Sequence, residues 1–409
     1  MAEKWAKNAV RNAPKKASEP PAENATRNVT QNGAAAYSAS HREFVLGTRG
    51  SELARTQSQM VADALNELGV RVRLQTIRTE GDVTAGSLSR LGGVGVFAAA
   101  LRLALLDGQC DLAVHSFKDL PTKVVPGLEI GAVPTRAPAF DALCARYGLT
   151  LEELPSGATV GTGSPRRVAQ LRALRPDLNF VDIRGNVGTR LARAQGPDAD
   201  LDAVVLAAAG LARLGRTDAI TQVLTQVLPA PAQGALAVEI RNDAPTQLRA
   251  ALARINHPAS RAAALAERQI LAQLRAGCAA PVGAYARTDW HAVCGADFED
   301  ATALSRDGRS HLSCEPTDDP ENEPTTLRLR TRVISVDGTR EVTASGAVPV
   351  GSDEDATAAG DAVGTALLAQ GAAQITDLAA TKNAHERTAL WAPGIAGPTA
   401  PGADVSACK

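Results

Sequence analysis

The chain is predicted to be α/β, with two lobes joined by a double hinge and followed by a small α+β C-terminal domain. Three observations predict this. Short apolar runs ending in glycine- or serine-bearing turns and followed by helical periodicity recur through residues 44–115 and again through 158–213. Two passages rich in proline and glycine, Pro134 to Pro138 and Leu228 to Gly234, separate these repeats from what flanks them. Beyond Pro258 the pattern changes to one helix, three alternating stretches and a final helix.

Residues 1–41 are rich in Ala, Asn, Pro, Lys and Glu without periodicity and are predicted to be a disordered extension. Lobe 1 is assigned to residues 42–136 plus 235–254 and lobe 2 to 137–234. The α+β domain takes 255–380, and 381–409 form a C-terminal tail. Phe44 to Gly47 is a candidate strand, Thr48 to Ser51 a turn, and Leu53 to Leu68 a helix, so Arg49 and Ser51 stand at a helix N-terminus that attracts anions. Ser51 would serve equally as a plain helix cap. A strand from Val72 to Ile77 leads to Arg78–Asp82, and Gly92 to Phe97 opens a helix running to about Asp107. Asp111 to Val114 reads as a buried strand closing on His115-Ser-Phe-Lys-Asp-Leu-Pro121, which places Lys118 and Asp119 beyond a strand end, where ligands collect in open α/β sheets. A turn with a capping Asp and a surface Lys accounts for that heptapeptide about as well.

In the second repeat Ala158 to Val160 is a strand, Gly161 to Ser164 a turn, and Pro165 the first helical residue, capped by Ser164. Asn179 to Ile183 and Leu201 to Ala207 are strands, each followed by a helix. Ala235 to Arg241 is a strand that returns to lobe 1, which sets the strand-end turns of both lobes around one cleft. Pro258 to Arg275 is helical. Val282 to Ala286, Thr326 to Val336 and Val342 to Val350 alternate as strands, with Asp337-Gly338 as a hairpin turn, and Ala356 to Ala369 closes the domain as a helix.

With 44% hydrophobic residues the 409-residue chain can build ordinary cores, but only 3% are aromatic, which leaves no base-stacking surface. A net charge of -1 argues against a general nucleic-acid binder. Arginine is nonetheless concentrated: positions 166, 167, 172, 175, 184, 190 and 193 are opposed only by Asp177 and Asp182 in that segment, a density that suits an anionic ligand or a solvated helix face. The cysteines at 110, 144, 278, 294, 314 and 408 form no close pairs and do not cluster with histidine, so neither a metal site nor a disulfide framework is predicted. No apolar run is long enough to span a bilayer and no secretory h-region precedes the lobes, which points to a cytoplasmic protein away from membranes.

Five segments together resemble the hydroxymethylbilane synthase (porphobilinogen deaminase) family: His115 to Pro121, Gly161 to Arg167, Arg184 to Leu191, Pro231 to Gly234 and Gly277 to Gly283. They occur in the family's order, and the resemblance covers residues 44 to about 375. It implies two lobes like those of periplasmic binding proteins plus a third domain, and a monomeric transferase of porphyrin biosynthesis. Such an enzyme condenses four molecules of porphobilinogen head to tail, with release of ammonia, on a covalent dipyrromethane primer, and then hydrolyses the tetrapyrrole free.

The resemblance implies Cys278 as the thioether attachment point and Asp119 as the catalytic carboxylate, which stabilises the cation left when ammonia departs. It implies Lys118, Ser116, Arg166, Arg167, Thr162, Ser164 and Arg184 as cofactor contacts, and Arg49, Ser51, Arg190, Arg213 and Gln233 as substrate contacts. Each pyrrole carries an acetate and a propionate, and one charge pair at about 4 Å is worth roughly 4 kcal/mol at an effective dielectric of 20, so several cations are needed. One departure stands out: Val94 and Ala98 to Ala100 occupy places where many family members carry lysine. Two other classes of function fit parts of the pattern. A two-lobed protein that captures a small anion without chemistry would lack any covalent adduct. A nucleotide-dependent oxidoreductase would use Gly92 to Gly95 or Gly161 to Gly163, but neither run has a full fingerprint with an acidic partner.

Overall fold

The structure, a computed structural model, describes residues 42–77, 95–277, 280–288 and 325–379. The N-terminal extension, the segment from Arg78 through Val94, Cys278 and the C-terminal tail lie outside the described residues.

Two five-stranded mixed sheets of the same topology form the lobes. The first contains β1 (Phe44–Thr48), β2 (Val72–Thr76), β3 (Leu112–Ser116), β4 (Leu128–Ala132) and β10 (Leu236–Arg241), ordered β2-β1-β3-β10-β4. The second contains β5 (Asp141–Ala145), β6 (Thr159–Gly161), β7 (Asn179–Val181), β8 (Ala203–Ala207) and β9 (Gln222–Leu224), ordered β7-β6-β8-β5-β9. In each sheet the first three strands run parallel, and the antiparallel strand is the one that has just crossed from the other lobe. Thus β10 pairs with β3 and β4, while β5 pairs with β8 and β9. The predicted return of the 235–241 strand to lobe 1 is therefore what the chain does.

The helices follow the sequence reading with shifted ends. They are α1 (Glu52–Glu67), α2 (Gly95–Leu106), α3 (Pro165–Leu174), α4 (Val187–Gln195), α5 (Ala208–Arg213), α6 (Thr246–Ile255), α7 (Pro258–Gln273) and α8 (Asp353–Ala369). Ser51 caps α1, its hydroxyl accepting from Ala54 N at 3.4 Å. Asn186 caps α4, accepting from Thr189 N at 2.8 Å. Ser164 sits at the N-cap of α3 but makes no side-chain cap bond, so its expected capping role is not realised, while Pro165 does stand at the first turn. The third domain packs α7 and α8 on an antiparallel sheet of β11 (Val282–Thr288), β12 (Thr325–Ile334) and β13 (Glu341–Val350), burying Ile270, Val282, Leu327, Val333 and Leu367.

Strands β4, β5 and β9 and helix α6, which lie between the predicted units, are among the elements that escaped the sequence reading. All five residues of β5 are buried, so it carries no alternation, and β9 is only three residues long. Strand β3 also runs further than expected, taking in His115 and Ser116 through pairing of Ser116 with Leu236.

The two crossing segments touch each other at Gly234, whose φ of 88° lies in the left-handed region. A Cβ there would come within 2.3 Å of the Ala137 carbonyl oxygen, with no flexible side chain to yield. Gly234→Ala is expected to destabilise the fold by at least about 2 kcal/mol, from φ strain plus backbone overlap. Chemical denaturation measures this, and an unchanged midpoint would exclude the close approach.

Candidate active site

The predicted site residues within the described regions fall at the carboxyl end of a strand, in the turn or helix that follows one, or in the crossing segments. Beyond β3 the chain turns through a single 3-10 turn, Phe117–Asp119. Phe117 is buried against Leu120, Val133, Ala232, Ala235 and Ala264, which fastens the turn to both crossings and to α7. Anchored from below, the turn presents a half-buried Lys118 and an exposed Asp119. His115, on the preceding strand, points into lobe 1 instead, with Nε2 3.2 Å from the Glu239 carboxylate that Arg102 also binds.

Arg268 of α7 grips the same turn. Its guanidinium lies 4.4 Å from the centre of the Phe117 ring and donates to the carbonyls of Phe117 at 2.9 Å, Leu120 at 2.5 Å and Pro121 at 2.9 Å. The helix that leads into the Cys278 segment therefore also holds the Asp119 turn.

Across from this turn, Arg166 and Arg167 begin α3 and are almost fully buried, at 3% and 6% exposure. The sequence reading expected both forks to face ligand carboxylates. Much of each fork is instead committed inside lobe 2: Arg166 donates to Asp141 Oδ2 at 2.8 Å and Leu228 O at 2.5 Å, Arg167 to Asp141 Oδ1 and Val205 O, both at 2.7 Å. Burial alone would raise the Asp141 carboxyl, but the two guanidiniums outweigh it and hold it well below the usual carboxylate range. Asp141 was not among the predicted residues, because one Asp heading a short apolar run gives no signal of a buried ion pair.

What remains is an unfilled set of donors. Among the described residues, the buried Nε atoms of Arg166, Arg167, Arg190 and Arg213 have no hydrogen-bond partner. Buried N–H groups without acceptors are rare in folded proteins, and four on arginines fit anionic substituents. Arg190 is depressed by burial and by the like charges of Arg167 and Arg184, while Asp182 and Asp119 oppose that shift, so these groups of both lobes share one field. Arg213 reaches Gly234 O at 2.6 Å from lobe 2, and burial lowers it to about 10. Arg184 is exposed beside Asp182, at 3.2 Å. Thr162 is buried, and its hydroxyl oxygen accepts from Ser164 N at 3.4 Å. Ser116 exchanges hydrogen bonds with Gln57 at 3.0 and 3.1 Å. Arg49 is half-buried just past β1. Ala98, where the resemblance leads one to look for a lysine, is buried in the cluster under Phe117.

The Lys118 ammonium donates to Gln233 Oε1 at 3.1 Å. Burial lowers Lys118 to about 8; Asp119 and Asp141 resist the shift, and Arg167 and Arg166 add to it. The charged form thus dominates below about pH 8 and is lost above it, so anion binding weakens as pH rises through that value. The KM for an anionic pyrrole is expected to climb on the alkaline side from about 8, whereas an unperturbed lysine would hold it level to about 10. A pH profile of kcat/KM checks this, and a flat profile to pH 10 excludes it.

Of the six cysteines, two are described, and both are buried thiols. Burial pushes Cys110 up to about 11 and Cys144 up to about 12, which leaves neither as a thiolate near neutrality. Among the described residues no group of three or more His, Cys, Asp or Glu is placed to hold a metal ion, and no helix is long and apolar enough to cross a membrane.

Residues 44–249 match the family model described as porphobilinogen deaminase, dipyromethane cofactor binding domain. The chain is 50% identical over 353 residues to porphobilinogen deaminase of Cutibacterium acnes, covering 82% of this chain and 97% of that protein. The chain belongs to the porphobilinogen deaminase family. It is also 54% identical over 283 residues to the porphobilinogen deaminase of Leifsonia xyli subsp. xyli, covering 68% and 84% of the two chains. With that of Thermobifida fusca the identity is 48% over 337 residues, covering 81% and 94%. The matched segment takes in strands of both lobes and includes Lys118, Asp119 and the arginine pair Arg166 and Arg167. Among solved structures the chain is similar to a YaeC-family lipoprotein from Enterococcus faecalis, at 13% identity and a TM-score of 0.31, covering 52% of this chain and 90% of that one; the fold rests on the strand order described above.

Proposed function

We propose that the chain catalyses hydroxymethylbilane synthesis with Asp119 as its catalytic carboxylate. Four porphobilinogen molecules are condensed head to tail with release of four ammonia molecules, on a dipyrromethane primer held as a thioether by Cys278, and the linear tetrapyrrole is then released by hydrolysis. The observation that carries the site assignment is the set of buried guanidinium Nε atoms without an acceptor among the described residues, with Asp119 acting on Lys118 and on Arg190 of that set.

The donor set fits the primer. Arg166, Arg167 and Lys118 would hold its acetate and propionate groups, with Ser116, Thr162, Ser164 and Arg184 as further contacts. When bound, the primer supplies the free pyrrole carbon on which the chain grows. Arg49, Ser51, Arg190, Arg213 and Gln233 are assigned to the incoming porphobilinogen. Asp119 would hydrogen-bond the pyrrole N–H, and its charge would oppose the positive charge that spreads over the ring as the aminomethyl group leaves. The same carboxylate would take the proton lost after coupling. Buried cations around it favour polycarboxylate pyrroles over neutral ones. The protein is further proposed to act as a cytoplasmic monomer without nucleic-acid partners.

Intact mass tests the primer assignment. The purified protein is expected to exceed its sequence mass by one dipyrromethane, and Cys278→Ser to remove both the added mass and porphobilinogen turnover. An unmodified, active protein would refute it.

A further inference from the structure

Asp141 opens β5 directly after the chain has crossed from lobe 1, and it is fully buried. Its two oxygens are shared by three donors: Arg166 Nη2 on Oδ2 at 2.8 Å, Arg167 Nη2 on Oδ1 at 2.7 Å, and Gln233 Nε2 on Oδ1 at 2.8 Å. Gln233 comes from the other crossing and gives its second amide hydrogen to Ala139 O at 2.7 Å. Both of these partners only accept. The amide orientation is thereby dictated, and Oε1 is left facing the Lys118 ammonium at 3.1 Å. One chain of contacts runs from Lys118 in lobe 1, through Gln233 in the hinge, to Asp141 and the arginine pair in lobe 2.

We infer that Asp141 is a positioning residue for polycarboxylate binding. It holds both guanidiniums through Nη2, while Nη1 of each rests on a backbone carbonyl and the Nε donors stay unpaired among the described residues, and through Gln233 it fixes the Lys118 ammonium in the same field. The charge count supports this: Lys118, Arg166 and Arg167 set three positive charges against the carboxylates of Asp141 and Asp119, which leaves a net surplus of one for the substituents of the bound pyrroles. Removing the charge would set two buried guanidiniums against each other and against Lys118. It would also free the Gln233 amide to reverse and turn its N–H groups on the ammonium. The charged groups facing Lys118 are Asp119, Arg167, Asp141 and Arg166, and of these Asp141 is the one bonded both to Gln233 and to the two arginines.

This inference rests on the reading of the cleft as a pyrrole-carboxylate site. The test uses the holoenzyme and its Asp141→Asn and Gln233→Met variants, with circular dichroism for folding, intact mass for the primer, and kcat and KM for porphobilinogen from about pH 6 to 10. Asp141→Asn is expected to raise KM about tenfold at neutral pH with kcat within about threefold, and to move the alkaline limb of kcat/KM to lower pH. A folded Asp141→Asn protein with KM within about twofold and an unmoved limb overturns the inference. Should that variant not fold, Gln233→Met decides. It keeps the Asp141–arginine pairs, removes the Gln233 bonds to Lys118, Asp141 and Ala139, and is expected to shift the limb in the same direction; an unmoved limb overturns the relay. Failure of the underlying reading looks different, because the unaltered protein would then lack the primer mass or release no ammonia from porphobilinogen.

Discussion

Asp119→Asn is expected to lower kcat for porphobilinogen by about 10²- to 10³-fold, while leaving primer content and folding unchanged. The carboxylate stands on an exposed turn, and no hydrogen bond from the described residues engages it, so its removal costs the fold within about 0.5 kcal/mol. On the proposed assignment, what it removes is the charge that opposes the cation formed on the reacting ring. Asp119→Glu retains the charge but displaces it by one methylene, and a displacement near 1 Å is enough for a loss of about 10²-fold. Single-turnover ammonia release with intact mass on the same sample separates chemistry from primer loss. A kcat for Asp119→Asn within about threefold of the unaltered protein would exclude the carboxylate from the chemistry.

Glu267→Leu is expected to produce the largest loss of stability. Glu267 lies on α7 and is fully buried, with Arg136 of the first crossing bound to both of its oxygens at 2.7 and 2.9 Å. The same oxygens accept from Ala232 N of the second crossing at 2.5 Å and from Ala286 N of β11 at 2.6 Å. One carboxylate thus ties both hinge segments to the third domain. Its loss strands a buried guanidinium and two backbone N–H groups, and breaking a buried pair from one side costs about 3–5 kcal/mol before the amides are counted. Denaturant unfolding followed by circular dichroism is expected to show the midpoint falling and the transition broadening, since the units would no longer melt together. A curve that overlays that of the unaltered protein would rule out the tie.

Comparison of Arg166 with Asp141 shows why the site was half legible in the sequence. An arginine pair after a glycine turn and a proline announces itself, since turn chemistry, helix start and charge all occur within seven residues. Its counter-ion lies 25 positions upstream, and nothing local marks it. Glu267 and Arg268 were hidden for the same reason, as polar residues inside an Ala- and Leu-rich helix pattern. Conversely, the chain did reveal that 235–241 returns to lobe 1, because two punctuated crossings followed by an alternating strand admit few topologies.

By itself the sequence determined the order of β-α units, the two crossings, and the placement of Lys118, Asp119 and the arginine turns at strand ends. Those features follow from short-range periodicity and turn chemistry, which act within a few residues. Only the tertiary structure decided which charges are spent on one another and which remain for a ligand. Arg166 and Arg167 share Asp141, Arg136 is taken by Glu267, and the Nε edges of Arg166, Arg167, Arg190 and Arg213 are left over. Pairing of that kind depends on distance and burial in the folded chain, since a buried charge is stable only where a partner from a remote segment meets it.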